Sequence, residues 1–273
     1  MQITKKESLS DVQGIRTTRF HIRAPHIARK AQPGQFVVIM VKEEGERVPL
    51  TVVDTPGDEI VLIFQEVGLS TKLLGQCQEG DELYALLGPL GHATPIKDYG
   101  RTILVAGGVG IAEIYPVARE LKAMGNHVAI IIGARTKDIL FLEDELKHAA
   151  DEFYVTTDDG SYGRKGFTTD VLGELLQKNG YDFIYAVGPI PMMKKVCGVT
   201  KESGIKTMVS LNALMMDGTG MCGGCRVTVD GKVKFACVDG PEFDGQLVDW
   251  DELQKRTKMY VDKEQHICRL HNL

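Results

Sequence analysis

Residues 101–110 read RTILVAGGVG, an apolar run typical of a buried strand followed at once by a glycine turn. Four more apolar, β-branched runs follow, separated by helical patterns with apolar residues at three- and four-residue spacing. The predicted strands are 102–106, 127–132, 153–156, 183–187 and 207–210, and the predicted helices are 118–124, 139–149, 169–178 and 192–202. Strands that alternate with helices predict a parallel sheet buried on both faces.

Small or polar residues follow four of these strands. Ligands of open α/β sheets bind outside the carboxyl ends of the strands, where helix N-termini and bare backbone approach them. A glycine turn that opens a helix suits a pyrophosphate, although a turn that needs positive φ explains the same glycines. Four such loops in one sheet favour a nucleotide site. Its candidate residues are Gly107, Gly108, Gly110, Arg135, Thr136, Asp158, Ser161, Arg164, Lys165, Gly188 and Pro189.

The first 97 residues lack a long helical pattern and contain short strands at close intervals. The predicted strands are 17–23, 36–41, 50–54, 60–64 and 82–87, as expected of a small antiparallel barrel or sandwich. Arg47, Pro49, Leu50 and Thr51 offer a cation for a phosphate and a hydroxyl for a ring nitrogen. Gly68, Ser70 and Thr71 begin a helix that is a second candidate phosphate site, and ordinary turns account for both segments equally well.

A cysteine-rich segment lies near the C-terminus. It reads DGTGMCGGC over residues 217–225, and Cys237 follows. Iron-sulfur clusters are commonly held by C-x4-C-x2-C and a distant cysteine, so Asp217, Cys222, Cys225 and Cys237 fit that pattern with an oxygen donor first. Zinc is the main alternative, and unligated thiols are another. No histidine lies between His148 and His266, which excludes a Rieske centre.

Composition narrows the class of protein. The 273 residues suffice for about two domains, and 43% of them are hydrophobic. Lys plus Arg at 32 against Asp plus Glu at 37 gives a formal charge of −5, which disfavours nucleic acid and anionic membranes. No apolar run approaches a membrane span, and six cysteines, three of them clustered among glycines, favour a reducing compartment. We predict a cytoplasmic protein that binds neither membrane nor nucleic acid.

In their order along the chain, these motifs resemble the ferredoxin reductase superfamily, and especially the electron-transfer subunits of two-subunit dihydroorotate dehydrogenases. Within that group, residues 211–225 and 235–245 resemble the small subunit of NADH-dependent reduced ferredoxin:NADP oxidoreductase, also called the sulfide dehydrogenase small subunit. Asp217 agrees with the latter, since the dihydroorotate group carries cysteine there. Glu113 departs from the pattern, because relatives commonly have proline at that position.

The resemblance implies FAD, NAD(H) with NADP(H) as an alternative, and a [2Fe-2S] cluster that has Asp217 as its fourth ligand. It adds Ile63 and Phe64 to the cofactor-binding residues. It also implies a larger flavin and iron-sulfur partner subunit, ferredoxin as a reactant of the complex, and flavin-based electron bifurcation. No residues of an independent hydrolase are visible in the sequence, so the chemistry would belong to the cofactors.

The predicted fold class is α/β plus all-β, in three domains. They are an FAD-binding barrel at 1–97, an NAD(P)-binding parallel α/β domain at 98–210, and a [2Fe-2S] module with a C-terminal tail at 211–273. The predicted function is electron transfer between NAD(H), FAD and the cluster. The alternatives are the electron-transfer subunit of a dihydroorotate dehydrogenase or of a sulfide dehydrogenase or hydrogenase complex, and a zinc-stabilised nucleotide-binding module without redox function.

Overall fold

The structure is a computed structural model that describes residues 1–12, 14–178 and 180–270. The strands are β1 (Ile3–Val12), β2 (Ile15–Arg23), β3 (Phe36–Met40), β4 (Arg47–Thr51), β5 (Glu59–Gln65), β6 (Ala85–Leu90), β7 (Arg101–Gly107), β8 (His127–Ala134), β9 (Glu152–Thr157), β10 (Arg164–Lys165), β11 (Phe183–Val187), β12 (Lys206–Ser210), β13 (Arg226–Val229), β14 (Lys232–Phe235) and β15 (Glu242–Asp244). The helices are α1 (Pro25–Ala28), α2 (Leu69–Gln76), α3 (Gly110–Ala123), α4 (Glu143–His148), α5 (Thr168–Gln177), α6 (Ile190–Lys201), α7 (Ala236–Asp239), α8 (Trp250–Thr257) and α9 (Val261–Leu270).

The chain divides into two compact units. The first unit contains Met1–Ala93, Ala213–Pro241 and Asp249–Leu273, and the second contains Thr94–Asn212 and Glu242–Val248. The cysteine-rich segment therefore groups with the N-terminal strands, and the short strand β15 groups with the parallel sheet. The division into three domains at residues 97 and 210 stays a prediction.

Two three-stranded antiparallel sheets form the N-terminal part of the first unit, in the orders β1-β2-β5 and β4-β3-β6. Their inward residues form one core that includes Ile3, Phe20, Ile39, Leu62 and Phe64. The rings of Phe20 and Phe64 meet edge to face, with their centroids 5.2 Å apart. The predicted antiparallel fold is thus present, and the apolar residues of β3 and β5 are buried in nearly continuous runs.

The second unit is built on a seven-stranded sheet in the order β10-β9-β8-β7-β11-β12-β15. All pairs are parallel except β12 with β15, which is antiparallel. The central strands β7, β8 and β11 are almost entirely buried, as expected of strands covered on both faces. The five predicted strands and the alternating pattern of this unit are confirmed.

Several element boundaries differ from the sequence prediction. The strand expected at 50–54 is β4, shifted to Arg47–Thr51, and its Pro49 is accommodated because β4 is an edge strand. The sequence predicts a helix that starts only at residue 118, after Pro116. Helix α3 instead begins at Gly110 and continues through Pro116 without interruption. The helix expected from 139 begins only at Glu143, because Leu142 takes a left-handed φ of +57°.

The prediction missed further elements. Strand β1 is rich in charged residues and lacks an apolar pattern, because only Ile3 and Ser10 of its ten residues are buried. The hairpin of β13 and β14, strand β15 and helices α8 and α9 follow the cysteine-rich region and were also missed. In the part of the chain that the structure describes, no helix is long and apolar enough to cross a membrane.

The loop before β7 is fixed by one buried amide. Asn126 is 4% exposed, and its Nδ2 donates hydrogen bonds to the carbonyl oxygens of Lys97 and Leu121, both at 2.9 Å. Its Oδ1 accepts the N–H of Tyr99 at 2.7 Å. One side chain thus satisfies three backbone groups, two of them in the segment that leads into β7.

We expect Asn126→Ala to lower the free energy of unfolding by about 2–3 kcal/mol, because it leaves the carbonyl of Lys97 and the N–H of Tyr99 without their partner and removes one of two hydrogen bonds to the carbonyl of Leu121. Urea unfolding followed by circular dichroism measures the change. Asn212→Ala is the matched control, since Asn212 is exposed and makes one long bond of 3.5 Å to Gly188. The control should change stability by less than about 0.5 kcal/mol. Equal losses in the two variants would contradict the assigned role.

Candidate cofactor sites

The loops after β7 and β11 meet at the centre of the parallel sheet. Strand order reverses there, because β8 and β9 extend the sheet on one side and β12 on the other. A Cβ on Gly188 would lie 2.9 Å from the carbonyl oxygen of Gly107, and a Cβ on Gly110 would lie 2.6 Å from that of Val187. Only glycine permits this approach, and it occurs at the switch point where open sheets bind ligands.

The turn between β7 and α3 leaves backbone exposed to a ligand. Gly108 takes a φ of +58° and donates its N–H to the carbonyl oxygen of Gly133 at 3.3 Å. Helix α3 is fourteen residues long, and no side chain caps its N-terminus. Bare amides and the positive end of the helix dipole suit an anionic group. Gly107, Gly108, Gly110, Gly188 and the adjoining Pro189 are therefore brought together as the sequence predicts.

The loops after β8 and β9 are joined by hydrogen bonds. The N–H of Asp158 donates to the carbonyl oxygen of Ala134 at 3.1 Å, and the N–H of Asp159 donates to that of Arg135 at 3.3 Å. Arg135 and Asp158 are exposed, whereas the hydroxyl of Thr136 is buried with no hydrogen-bond partner among the described residues. The predicted residues Arg135, Thr136 and Asp158 thus belong to one surface.

Sequence reasoning missed the residue that shapes this surface. The carboxylate of Asp159 accepts the N–H and the hydroxyl of Ser161 at 2.9 and 2.7 Å, and these bonds hold the pKa of Asp159 below its usual value. The Ser161 hydroxyl in turn accepts the N–H of Lys137 at 2.9 Å. The Asp-x-Ser spacing is a known turn signal and would have revealed it. Arg164, another predicted residue, pairs with Glu174 at 2.6 Å.

In the first unit, the predicted flavin residues lie on β4, on β5 and at the start of α2. Arg47 begins β4, is exposed, and donates from Nε to the sulfur of Met40 at 3.4 Å, whereas Pro49, Leu50 and Thr51 are half-buried. Ile63 and Phe64 are only 4% and 1% exposed. Phe64 belongs to the core between the sheets, so its side chain already has a structural role.

The start of α2 is ordered by its own hydroxyls. Thr71 Oγ1 accepts the N–H groups of Val67 and Gly68, both at 3.1 Å. Ser70 donates its hydroxyl to the carboxylate of Glu46. Gly68, Ser70 and Thr71 are therefore together, and Glu46 joins them as a residue that the sequence analysis did not name.

Asp217 organises the cysteine-rich loop. Its Oδ1 accepts the N–H of Thr219 and its Oδ2 accepts the N–H of Cys222, both at 2.7 Å. These backbone N–H groups, Thr219 first, lower the pKa of Asp217. Gly218 and Gly220 take positive φ, which lets the loop fold back around the carboxylate.

Two of the four predicted metal ligands are adjacent. Cys225 and Cys237 are each 2% exposed, and their sulfur atoms are 3.1 Å apart. Burial, and next the neighbouring Cys225, raises the pKa of the Cys237 thiol to about 12. Two metal–sulfur bonds of about 2.3 Å can span this separation. A bound cation would offset the cost of deprotonating such thiols.

The other two predicted ligands face the backbone of their own loop. Cys222 is exposed, and its sulfur accepts the N–H of Gly224 at 3.4 Å. Within residues 1–12, 14–178 and 180–270, no three His, Cys, Asp or Glu side chains are already grouped as ligands of one ion. Three free thiols and one carboxylate on a glycine-rich loop nevertheless have the donor chemistry of an iron-sulfur site. The four-ligand set stays a prediction.

Comparison with known protein families matches two regions. Residues 104–198 match the oxidoreductase NAD-binding domain, and residues 212–249 match the iron-sulfur cluster binding domain of dihydroorotate dehydrogenase B. The first region covers most of the parallel sheet with its glycine loops, and the second covers the Asp217 loop and all three of its cysteines. The chain is thus an electron-transfer oxidoreductase subunit with an NAD-binding and an iron-sulfur-binding region.

Similar proteins cover almost the whole chain. A Thermotoga maritima protein called dihydroorotate dehydrogenase B (NAD(+)), electron transfer subunit homolog, is 50% identical over 247 residues, which are 90% of this chain and 87% of that one. The corresponding electron transfer subunit of Geobacillus thermodenitrificans is 37% identical over 239 residues, 84% and 91% of the two chains. The chain belongs to the family of dihydroorotate dehydrogenase B electron transfer subunits and their homologues.

A solved structure agrees along the same length. A chain from the structure of an NADH-dependent reduced ferredoxin-NADP oxidoreductase, described in terms of flavin-based electron bifurcation, is 47% identical with a TM-score of 0.91. The match covers 97% of this chain and 95% of that one. The ferredoxin reductase-like fold is confirmed, and flavin binding fits this fold.

We expect Gly110→Ala to weaken dinucleotide binding at least about tenfold, because the added Cβ would lie 2.6 Å from backbone that cannot swing aside. Calorimetric titration with NAD⁺ measures the affinity. Gly173→Ala in α5 is the matched control, since a Cβ there meets no atom within 4 Å. The control should leave binding unchanged and stabilise the helix by about 0.5–1 kcal/mol. Unchanged affinity in Gly110→Ala would contradict the role of this turn.

Asp217→Cys should keep the cluster and shift its reduction potential, because thiolate replaces a harder oxygen donor. Asp217→Ala should instead lose iron, since it removes both the proposed ligand and the acceptor of two backbone N–H groups. Iron analysis and an EPR-monitored redox titration measure the two effects. If the cysteine variant also lost its iron, the role of Asp217 would be to fold the loop. If the alanine variant kept full iron, neither role would hold.

Proposed function

We propose that this chain passes electrons between NAD(H), FAD and a [2Fe-2S] cluster, and exchanges them with a larger flavin and iron-sulfur subunit. The complex would be an electron-bifurcating NADH and ferredoxin:NADP oxidoreductase, with ferredoxin reacting elsewhere in it. The observation that carries this proposal is the likeness to the NADH-dependent reduced ferredoxin-NADP oxidoreductase, which extends over 97% of the chain.

For the nucleotide, the strand order supports an orientation. The pyrophosphate would be held by the amides of the Gly107–Gly110 turn and the N-terminus of α3. The second strand of such a sheet contacts the adenosine ribose, so Arg135, Thr136 and Asp158 would bind that half. The nicotinamide half would then lie on the opposite side of the switch point, near Gly188 and Pro189, over β11 and β12.

For the flavin, β4 and the start of α2 supply the candidate groups. Arg47 would contact one phosphate of the cofactor, and Thr51 would contact the ring system. Gly68, Ser70 and Thr71 would bind the second phosphate. Pro49, Leu50, Ile63 and Phe64 would complete the site with apolar surface and backbone. A bound flavin exchanges hydride with nicotinamide and single electrons with a cluster, which is the conversion that links the two ends.

For the cluster, Asp217, Cys222, Cys225 and Cys237 are the proposed ligands. The carboxylate at position 217 favours the ferredoxin:NADP relatives over the dihydroorotate group, which carries cysteine there. Six free cysteines fit a reducing compartment, so we place the protein in the cytoplasm. The three-domain division at residues 97 and 210 follows the same assignment of one cofactor to each part.

The test is the visible spectrum of anaerobically purified protein, recorded before and during titration with NADH. Flavin bands over a broad iron-sulfur absorbance, both decreasing as NADH is added, are the expected result. A colourless protein that contains stoichiometric zinc and stays colourless after reconstitution would replace this proposal with the zinc-stabilised module.

The partner needs a separate assay. Recombined with its larger subunit, the protein should support NADH- and NADP-dependent reactions with ferredoxin and no oxidation of dihydroorotate. Dihydroorotate oxidation at a comparable rate would instead favour the dihydroorotate dehydrogenase assignment. The chain without its partner subunit is the control, because neither ferredoxin nor dihydroorotate should then react.

A further inference from the structure

Glu242 brings a carboxyl group to the carboxyl ends of the parallel strands. It begins β15, which runs antiparallel to β12, and it pairs with Ser210, the last residue of β12. Ser210 pairs with Val187 on β11, and Val187 pairs with Ala106 on β7. Glu242 therefore lies in the same row of the sheet as the residues that immediately precede the two glycine loops.

The two oxygens of this carboxyl group have different surroundings. Oε1 accepts the phenol of Tyr185 at 2.8 Å and the hydroxyl of Thr94. Oε2 is buried and has no hydrogen-bond partner among the described residues. Buried polar atoms are nearly always bonded, and a buried acceptor without a partner costs about 1–3 kcal/mol. If Glu242 only linked Thr94 to Tyr185 as a structural residue, Oε1 alone would suffice.

Burial, which outweighs the bonds from Thr94 and Tyr185, raises the pKa of Glu242 above its usual value. Tyr185 is the titratable group among the causes of this shift, and its hydrogen bond favours the charged form of Glu242. Tyr185 is fully buried with its pKa well above the usual value, Tyr99 is half-buried with its pKa also raised, and Glu113 acts on Tyr185 from α3 as a second carboxylate. No Lys or Arg is among the causes of the Glu242 shift, and burial moves the group toward its neutral form, in which Oε2 can donate a hydrogen bond.

We propose that Glu242 is a recognition residue for the nicotinamide end of the dinucleotide, which it would hydrogen-bond through Oε2. This assignment rests on the proposed function, and it follows from the strand order. The adenosine half belongs to β8 and β9, so the opposite half reaches the side of the sheet that β12 and β15 form. The carboxamide of nicotinamide carries a carbonyl oxygen that can accept the Oε2–H.

Tyr185 and Thr94 are positioning residues in this arrangement. Their two donors occupy Oε1, which leaves the proton on Oε2 and directs that oxygen away from them. Tyr185 lies on β11, the strand that ends at Val187, directly before Gly188. The same strand thus supplies one of the close-packed glycine loops and the phenol that orients the carboxyl group.

The experiment is anaerobic calorimetric titration of the flavin- and cluster-loaded protein with NAD⁺ and with ADP-ribose, which lacks nicotinamide. Glu242→Leu should weaken NAD⁺ binding about 5–10-fold, the worth of one neutral hydrogen bond, and ADP-ribose binding less than about twofold. Glu242→Gln should bind NAD⁺ within about twofold of the wild type, since its amide donates from the same place. Glu202→Leu, at an exposed position after α6, is the control and should change neither affinity.

The pH dependence separates recognition from a structural role. Wild-type affinity for NAD⁺ should fall as the pH rises through the pKa of Glu242, because the donor is then lost, whereas Glu242→Gln should show no such fall. The comparison of the wild type with Glu242→Gln still tests the role of Glu242 if the leucine variant does not fold. A lowered melting temperature of the leucine variant would reveal such misfolding. Equal losses for both ligands in the leucine variant, or weak NAD⁺ binding by the glutamine variant, would overturn the assignment. A wild-type protein that binds neither ligand would overturn the proposed function, and this assignment with it.

Discussion

The close approach of the loops after β7 and β11 is the constraint on which the nucleotide-binding half depends. A Cβ at Gly110 would lie 2.6 Å from the carbonyl oxygen of Val187, and a Cβ at Gly188 would lie 2.9 Å from that of Gly107, so both positions need glycine. The approach exposes amides at the point where the strand order reverses. Packing and ligand chemistry therefore have the same origin here. The glycines that let the two loops approach each other also leave backbone N–H groups free to bind an anion.

The reversal of strand order also divides the sheet edge into two chemical environments. Beyond β8 the loops are exposed and polar, and the carboxylate of Asp159 fixes them through Ser161. Beyond β11, Gly188 and Ser210 are buried, whereas Pro189 and Asn212 are exposed, and β15 adds the half-buried Glu242. NAD⁺ has a matching asymmetry, because it carries adenosine at one end and a nicotinamide ring with one amide at the other. An exposed polar surface suits the ribose hydroxyls of the adenosine half, and a single buried hydrogen-bonding group suits the amide of the nicotinamide ring.

The sequence predicts the parallel sheet well because its signals are local. Apolar runs such as 102–106 have a length and composition that few other structures share, and a glycine turn marks each important strand end. The edge strands are harder to recognise for a physical reason. β1 has few buried side chains and β15 has three residues, so both are determined by pairing with β2 and β12 instead of by their own pattern. The misplaced start of α4 depends on Leu142, whose left-handed backbone no residue preference announces.

The candidate site residues also differ in how clearly the sequence reveals them. Asp217 is recognisable in the sequence because the carboxylate, the glycines and the first two cysteines all lie within nine residues, and its hydrogen bonds stay inside that segment. Glu242 gives no such signal. Its partners Tyr185 and Thr94 are 57 and 148 positions away, and its raised pKa follows from burial that exists only after β15 has joined β12. A side chain whose chemistry is set by its neighbours in space can be assigned only when the sheet order is known.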